Sequence, residues 1–350
     1  MSVEKQKITL TCEVDSYRSG WTIVRFLAHR FKYHTPERWT ERVIDGWVLL
    51  NGSHVAPDHA VKKGDVVTYT IFHAEPEVDF RYDVIYEDDY LLAISKSGNI
   101  PVHACGVYIR NTLIGTLKNI YGDTLNLAHR LDRETSGLTL LTKDPQTARV
   151  MGKMFAEGHV WKLYSAVVHG RIRRESFEVD APIGKTLEEI TPRPEELPGS
   201  DLAEDLPRYV PRRRVDRDKG KPAVTRFEVE KFLGGCTLVR AMPLSGRTNQ
   251  IRVHLDHVGH PIVGDKVYKL RGPRVDDEPG TLATPGMATE LGLASETGMA
   301  AGLINRHALH CRELRFTHPA DHRLLHLTAP YPEDFVRLVE SLEARGDPLT

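Results

Sequence analysis

The chain has 350 residues, enough for two domains rather than one hydrophobic core. Its 48 acidic and 47 basic side chains leave a formal charge of −1, and 27% of residues are charged against 40% apolar, the composition of a folded globular protein rather than a disordered chain. No apolar run approaches the roughly 18 residues of a membrane helix. The opening residues, MSVEKQKITL, carry no signal-peptide stretch. Cys12, Cys105, Cys236 and Cys311 form no CxxC pair, which argues against a zinc knuckle and suits a reducing, cytoplasmic setting. A near-zero charge speaks only weakly against a nucleic-acid partner, because patches matter more than sums.

Residues 1–75 read as one unit. SGWTIVRFLAHRF spaces Trp21, Ile23, Val24, Phe26, Leu27 and Phe31 for a helix. A second helix is expected from Thr35 as N-cap and Pro36 at the first helical position to Gly46. WVLLNG and DVVTYTIF follow as strands, with Asn51-Gly52 as a turn. Across 18–42 the basic residues Arg18, Arg25, Arg30, Lys32, Arg38 and Arg42 face only Glu37 and Glu41. That balance suits a groove for a polyanion, and equally a solvated helix face. The helix pair followed by DGWVLLNG and VKKGDVVTYT resembles the small RNA-binding domain named after ribosomal small-subunit protein four. The resemblance implies RNA contact here, with Arg25, Arg30 and Arg38 as candidates.

Residues 76–85 are acidic and read as a linker. From 86 to 345 short strands alternate with a few helices. LLAIS, LNLAHRL, KLYSAVVHG, TRFEVEKFL and CTLVRAM are strand-like, the last two joined at Gly234-Gly235. NTLIGTLKNI is helix-like, and Asp144-Pro145 starts another helix, with Asp144 as N-cap. The mixture predicts an α+β domain with a mixed, largely antiparallel sheet. Residues 186–221 and 271–305 read as insertions, surface loops or partly disordered. The first turns basic at Arg212, Arg213, Arg214, Arg217, Lys219 and Lys221; these residues suit contact with an RNA backbone, or a solvated loop.

The chemistry gathers in HRLDRETSGLTLLTKD, 129–144, where Asp132 lies between a strand-like run and a polar turn. Loops between rigid strands are common places for active-site residues, although a solvated surface turn has the same look. SGRTNQIRVHLDHVGHPIVGD, 245–265, sets Thr248 or Asn249 as a possible N-cap and Arg252 in the first turns of a helix with Ile251, Val253 and Leu255 on its apolar face.

Taken together, the chain resembles the RluA-type family of RNA pseudouridine synthases over about residues 80–340. The residues that carry the resemblance are His129-Arg130-Leu131-Asp132 with Thr135-Ser136-Gly137-Leu138; Lys162, Tyr164 and Gly170; Lys221, Ala223 and Thr225; Gly246-Arg247-Thr248 with Gln250-Ile251-Arg252-Val253-His254; Gly259-His260-Pro261 with Gly264-Asp265; and Leu309-His310 with His318-Pro319. The resemblance implies an isomerase with Asp132 as catalytic aspartate, Tyr164 beside the target base and Arg252 paired with the aspartate. It implies that Arg130 enters the RNA helix as the target leaves. Lys162, Arg247 and Gln250 are further candidate RNA contacts. Isomerising uridine breaks a C–N bond and forms a C–C bond, so it needs no redox step, metal or cofactor. It does need an ionised carboxylate. Burial opposes that charge, whereas a guanidinium clamp supports it. Attack on the sugar, attack on the base and proton removal all remain open to such a carboxylate.

Two positions depart from the family pattern. Asn249 stands where His is usual, and Lys96-Ser97-Gly98-Asn99 stands where Lys-Pro-Ala-Gly is usual. His254, His257, His260, His307 and His310 lack paired acidic ligands, so no metal site is expected. The expected partner is RNA, with ribosomal RNA favoured and transfer RNA open, and the expected state a monomer without membrane contact. The rival readings are a non-catalytic RNA-binding or ribosome-assembly protein and, more distantly, a metal-dependent hydrolase.

Overall fold

A computed structural model describes residues 6–31, 34–73, 75–106, 108–190, 208–269 and 302–345. They divide into two units, the first running to Pro76 with the stretch 187–211 grouped with it, the second holding the rest. No helix among the described residues is long and apolar enough to cross a membrane.

In the first unit, β1 (Gln6–Glu13) pairs antiparallel with β3 (Val66–His73), which pairs in turn with β2 (Val48–Leu50). The sequence reading does not anticipate β1. Two helices cover the unit's apolar interior. In α1 (Ile23–Arg30), Thr22 accepts the Arg25 N–H as N-cap, and Ile23, Phe26 and Leu27 are buried at helical spacing. In α2 (Pro36–Ile44), Thr35 caps as expected and Trp39, Arg42 and Val43 face inward. The Trp39 ring meets Tyr69 edge-on, with centroids 5.7 Å apart.

The second unit is built on one sheet of ten strands, of α+β type. Its strands are β4 (Tyr82–Glu87), β5 (Leu91–Lys96), β6 (Asn126–Leu127), β7 (Ser136–Thr142), β8 (Trp161–His169), β9 (Ser176–Asp180), β12 (Val224–Leu233), β13 (Cys236–Pro243), β14 (Leu309–Thr317) and β15 (Leu324–Thr328). They run in the order β4-β5-β7-β14-β8-β13-β12-β9, with β15 beside β14 and β6 beside β7. A separate pair joins β10 (Ile183–Ile190) to β11 (Arg208–Val215). The helices are α3 (Leu113–Tyr121), α4 (Pro145–Ala156, with Asp144 accepting the Gln146 and Thr147 N–H groups), α5 (Gln250–His257) and α6 (Glu333–Glu343).

Three expectations need correction. Residues 76–85 are not all linker, because β4 begins at Tyr82. The ends of the 186–221 insertion are strands, with Arg212, Arg213 and Arg214 in β11; its middle, 191–207, and residues 270–301 of the other insertion lie outside the described residues. LNLAHRL is a strand only at Asn126–Leu127. Beyond Ala128 the chain leaves the ladder, because the His129 ring turns in and its Nε2 accepts the Leu140 N–H at 3.1 Å.

All the pairings of the large sheet are antiparallel except that of β7 with β14, which run parallel. Every residue of β7 is buried, as expected of a strand covered on both faces. At the junction, Gly137 takes φ +102°, and a Cβ there would stand 2.2 Å from the Cys311 carbonyl oxygen. Only glycine allows β7 and β14 to approach this closely five residues after Asp132. Gly137→Ala is therefore expected to destabilise the fold by about 2 kcal/mol or more, read from urea midpoints.

Candidate active site

The 129–135 turn ends at β7 and is held from several sides. Thr135 donates its N–H to the Asp132 carbonyl at 3.1 Å, and its hydroxyl bonds His307 Nε2 at 2.8 Å. The Arg133 carbonyl accepts from the Asn99 N–H at 3.0 Å, the Ile100 N–H at 3.2 Å and Lys96 Nζ at 3.1 Å. Arg306 donates to the Glu134 carbonyl at 3.0 Å while its other nitrogens clamp Asp334 at 2.7 and 2.9 Å. These contacts seat the backbone on both sides of Asp132.

Burial disfavours the Glu134 charge, yet the His307 hydrogen bond and nearby cations hold its carboxyl down at about 2. Lys96 is fully buried, and desolvation, helped by Arg306, pushes its ammonium down to about 7. A neutral amine keeps two N–H donors, which match the Ser97 and Arg133 carbonyls at 2.9 and 3.1 Å.

Across the cavity, α5 presents Arg252 between two carboxylates. Its Nε and one terminal nitrogen clamp Asp265 at 2.6 and 2.9 Å, and its other terminal nitrogen donates to Asp132 Oδ2 at 2.9 Å. The three side chains are 9%, 0% and 27% exposed for Arg252, Asp265 and Asp132. Burial opposes both charges of the inner pair, but Arg252 outweighs it and holds the Asp265 carboxyl below the usual range, while the two carboxylates together raise the guanidinium further. The Arg252 guanidinium also lies over the Tyr268 ring, 4.9 Å from its centroid.

Asp132, Tyr164, Arg252, Arg130, Lys162, Arg247 and Gln250 line one cavity of about 460 Å³, within the usual range for small-ligand sites. Tyr164 is buried, and desolvation lifts its phenol well above 10, so the ring meets the cavity as a neutral face. Lys162 is buried beside it, lowered by desolvation, with Nζ 3.4 Å from the Ser245 carbonyl. Arg130 and Arg247 are exposed at the rim. The expectation of RNA contact fails for Gln250. It is 4% exposed and its amide is saturated within the protein: the oxygen accepts from the Ser245 hydroxyl and Arg247 N–H, and the nitrogen donates to Val224 O and Thr225 Oγ1. Gln250 braces the 245–247 loop.

In the first unit, Arg25 is exposed and stacks 4.2 Å over Trp21, and Arg30 is exposed beside Phe31 at 5.7 Å. Arg38 pairs with Glu41 at 2.7 Å. The six-cation reading of 18–42 also needs correction. Arg42 is buried and donates to the Thr70 carbonyl, Arg18 pairs with Asp15, and Lys32 lies outside the described residues.

Sequence reading assigned no role to Asp265, Tyr268, Lys96, Arg306 or His307. The sequence signal for Asp265 was its place in the Gly264-Asp265 block that carries the family resemblance. The histidines have protein partners. His254 bonds Thr225 and the Ala181 carbonyl, His260 the His169 carbonyl and His310 the Ser136 hydroxyl.

Residues 90–257 match the model of the family described as RNA pseudouridylate synthase. The chain is 30% identical over 346 residues to ribosomal large subunit pseudouridine synthase C of Vibrio vulnificus, covering 94% of this chain and 95% of that protein. It is 33% identical to the mitochondrial tRNA pseudouridine(32) synthase of Saccharomyces cerevisiae, over 70% of this chain and 50% of that one. Among solved structures, human RNA pseudouridylate synthase domain containing 4 superposes with a TM-score of 0.51 at 28% identity, covering 74% of this chain and 92% of that one.

The buried Lys96 makes stability depend on pH in a defined direction. Between about 7 and the ordinary 10.5, the unfolded chain holds a proton that the folded chain has released, so stability rises with pH across this window. Lys96→Met removes the term. Urea unfolding from pH 7 to 9.5 is expected to give the variant a shallower rise than the parent.

Proposed function

This chain belongs to the RNA pseudouridylate synthase family, of RluA type, and is an RNA pseudouridine synthase, an isomerase; on that premise we propose that Asp132 is its catalytic carboxylate, Arg252 the group that orients it and Tyr164 the ring against which the target base packs. The observation that carries this reading is the Asp132 carboxylate, held at 2.9 Å by a buried arginine in the wall of a cavity that Tyr164 also lines. Isomerisation leaves the nucleotide's composition unchanged: the base leaves C1′ through N1 and returns through C5, which gives up its hydrogen to solvent while N1 takes one up. What the enzyme supplies is a positioned carboxylate, a flat neutral surface for the rotating base and shelter from water.

A uridine reaches such a cavity by leaving its helix, at a cost of a few kcal/mol. Arg130, exposed at the rim next to Asp132 in the chain, fills the vacated stack. Lys162 and Arg247 take the flanking backbone. The substrate is ribosomal RNA. The supporting observation is that the relative named for ribosomal large subunit modification aligns along nearly the whole chain, whereas the tRNA-modifying relative aligns over 70% of it. The first unit, two helices on a three-stranded sheet with Arg25 and Arg30 exposed, serves as an RNA-binding domain like that of ribosomal small-subunit protein four, and Arg38 adds a weaker contact. Four free thiols suit a cytoplasmic enzyme, which acts as a monomer.

Two measurements test this reading. The protein is expected to release tritium from ribosomal RNA labelled at C5 of uridine faster than from labelled tRNA, and Asp132→Asn to abolish release without changing the circular dichroism spectrum. Full activity in that variant would falsify the assignment. Charge reversal at Arg25 and Arg30 together is expected to weaken RNA binding about tenfold or more and to reduce the salt dependence by about two phosphate contacts.

A further inference from the structure

Asn249 occupies the N-cap position of α5, where an asparagine side chain ordinarily accepts a backbone N–H. It makes no such bond. With φ +58° it sits in the left-handed region, which asparagine tolerates better than most residues, and this turns its amide out of the helix into the site. Oriented to satisfy both of its ends, the amide nitrogen donates to Asp132 Oδ2 at 2.8 Å and Oδ1 at 3.0 Å, and its oxygen accepts from the Tyr268 hydroxyl at 3.0 Å. The Tyr268 hydroxyl also accepts the Arg213 N–H of β11 at 3.3 Å. Burial raises the Tyr268 phenol, with Arg252 pulling against it, so the hydroxyl keeps the proton it donates.

The two oxygens of Asp132 are thus held unequally. Oδ2 receives Arg252 and Asn249, and Oδ1 receives Asn249 alone among the described residues. One donor on one oxygen leaves a carboxylate free to turn about Cβ–Cγ; a donor that spans both oxygens fixes its plane. We propose that Asn249 is a positioning residue of this enzyme, locking the plane of the Asp132 carboxylate toward the cavity, and that Tyr268 holds the Asn249 amide in the orientation that does so. Arg252 and Asn249 both come from the start of α5, so one helix terminus aims the carboxylate through two side chains. The proposal rests on Asp132 as the catalytic carboxylate and deepens that reading.

The left-handed backbone makes the test clean. Asn249→Gly keeps the conformation without strain and removes the amide. Asn249→Asp keeps the shape but sets a carboxylate against Asp132. Asn249→His fits the same backbone region and restores one N–H donor. In single-turnover assays on a ribosomal RNA fragment, Asn249→Gly is expected to lose on the order of 10- to 100-fold in rate with RNA affinity and melting temperature near the parent's. Asn249→Asp is expected to lose more, and Asn249→His to recover part of the loss. Tyr268→Phe should slow the reaction, and adding it to Asn249→Gly should slow it no further. A parental rate in Asn249→Gly, or a loss that appears equally in RNA affinity, overturns the proposal, and additive losses overturn the role of Tyr268. Crystal structures decide the matter without turnover. The Asp132 carboxylate is expected to be rotated or split in Asn249→Gly, and an unmoved carboxylate overturns the positioning role even if Asp132→Asn proves active and the catalytic reading itself fails.

Discussion

The site depends on a single cation shared between two carboxylates. Arg252 lies at 9% exposure between Asp265 at 0% and Asp132 at 27%. Taking a guanidinium out of water costs several kcal/mol, and a lone partner half in solvent would not offset it. The bidentate bond to Asp265 does so. The inner carboxylate neutralises the buried charge, and the third side of the planar group is left to hold the outer one. The gradient of exposure separates the roles: Asp265 sees only protein, while Asp132 keeps an open edge on the cavity. Lysine, with one point charge and no fork, could not clamp Asp265 bidentately while reaching Asp132.

Such a bridge has value only if the loop carrying Asp132 stays at a fixed distance from α5. The loop enters from β6 and leaves into β7, which pairs with β14 in the sheet's parallel junction. Gly137 permits the close approach, and Arg133, Glu134 and Thr135 are tied by backbone and side-chain bonds to Lys96, Asn99, Arg306 and His307. These anchors lie on β5, on the turn after it and on the segment entering β14, so the sheet itself sets the position of Asp132. This explains why polar groups as costly to bury as Lys96 and Arg306 lie inside the fold: each answers a carbonyl of the loop that regular secondary structure leaves unpaired.

What could be read in the sequence was local. Thr35-Pro36 and Asp144-Pro145 announce helix starts because capping is decided within four residues, and both caps form. Asp132, Tyr164 and Arg252 were legible through family resemblance, and they line one cavity. Asn249 was visible as a departure and as a possible cap, but not as a donor to Asp132, because a left-handed φ reverses where its side chain goes. Tyr268 and Lys96 reach the site across the fold, and no spacing or period reports that. Gln250 misled for the opposite reason. It stands beside Arg247 in the sequence, yet on the first turn of α5 it faces Val224 and Thr225, so a polar residue in a motif became a brace. LNLAHRL misled because its alternation is that of a strand, while His129 is drawn inward by the Leu140 N–H.

The near-zero net charge takes on a different meaning in this light. Several acids of the second unit are engaged within the protein: Asp265 with Arg252, Asp334 with Arg306, Glu134 with Arg133. Their negative charge is cancelled at short range and projects little field. At the rim of the cavity, Arg130 is exposed with no carboxylate partner among the described residues, and Arg247 gives its Nε to the Pro222 carbonyl, a neutral acceptor. The potential that an approaching polyanion meets is set by the charges left unpaired at the surface it approaches, not by the sum over the chain. A formal charge of −1 is therefore compatible with a cationic mouth over Asp132, and the arginine that neutralises the buried Asp265 is the same one that holds the Asp132 carboxylate.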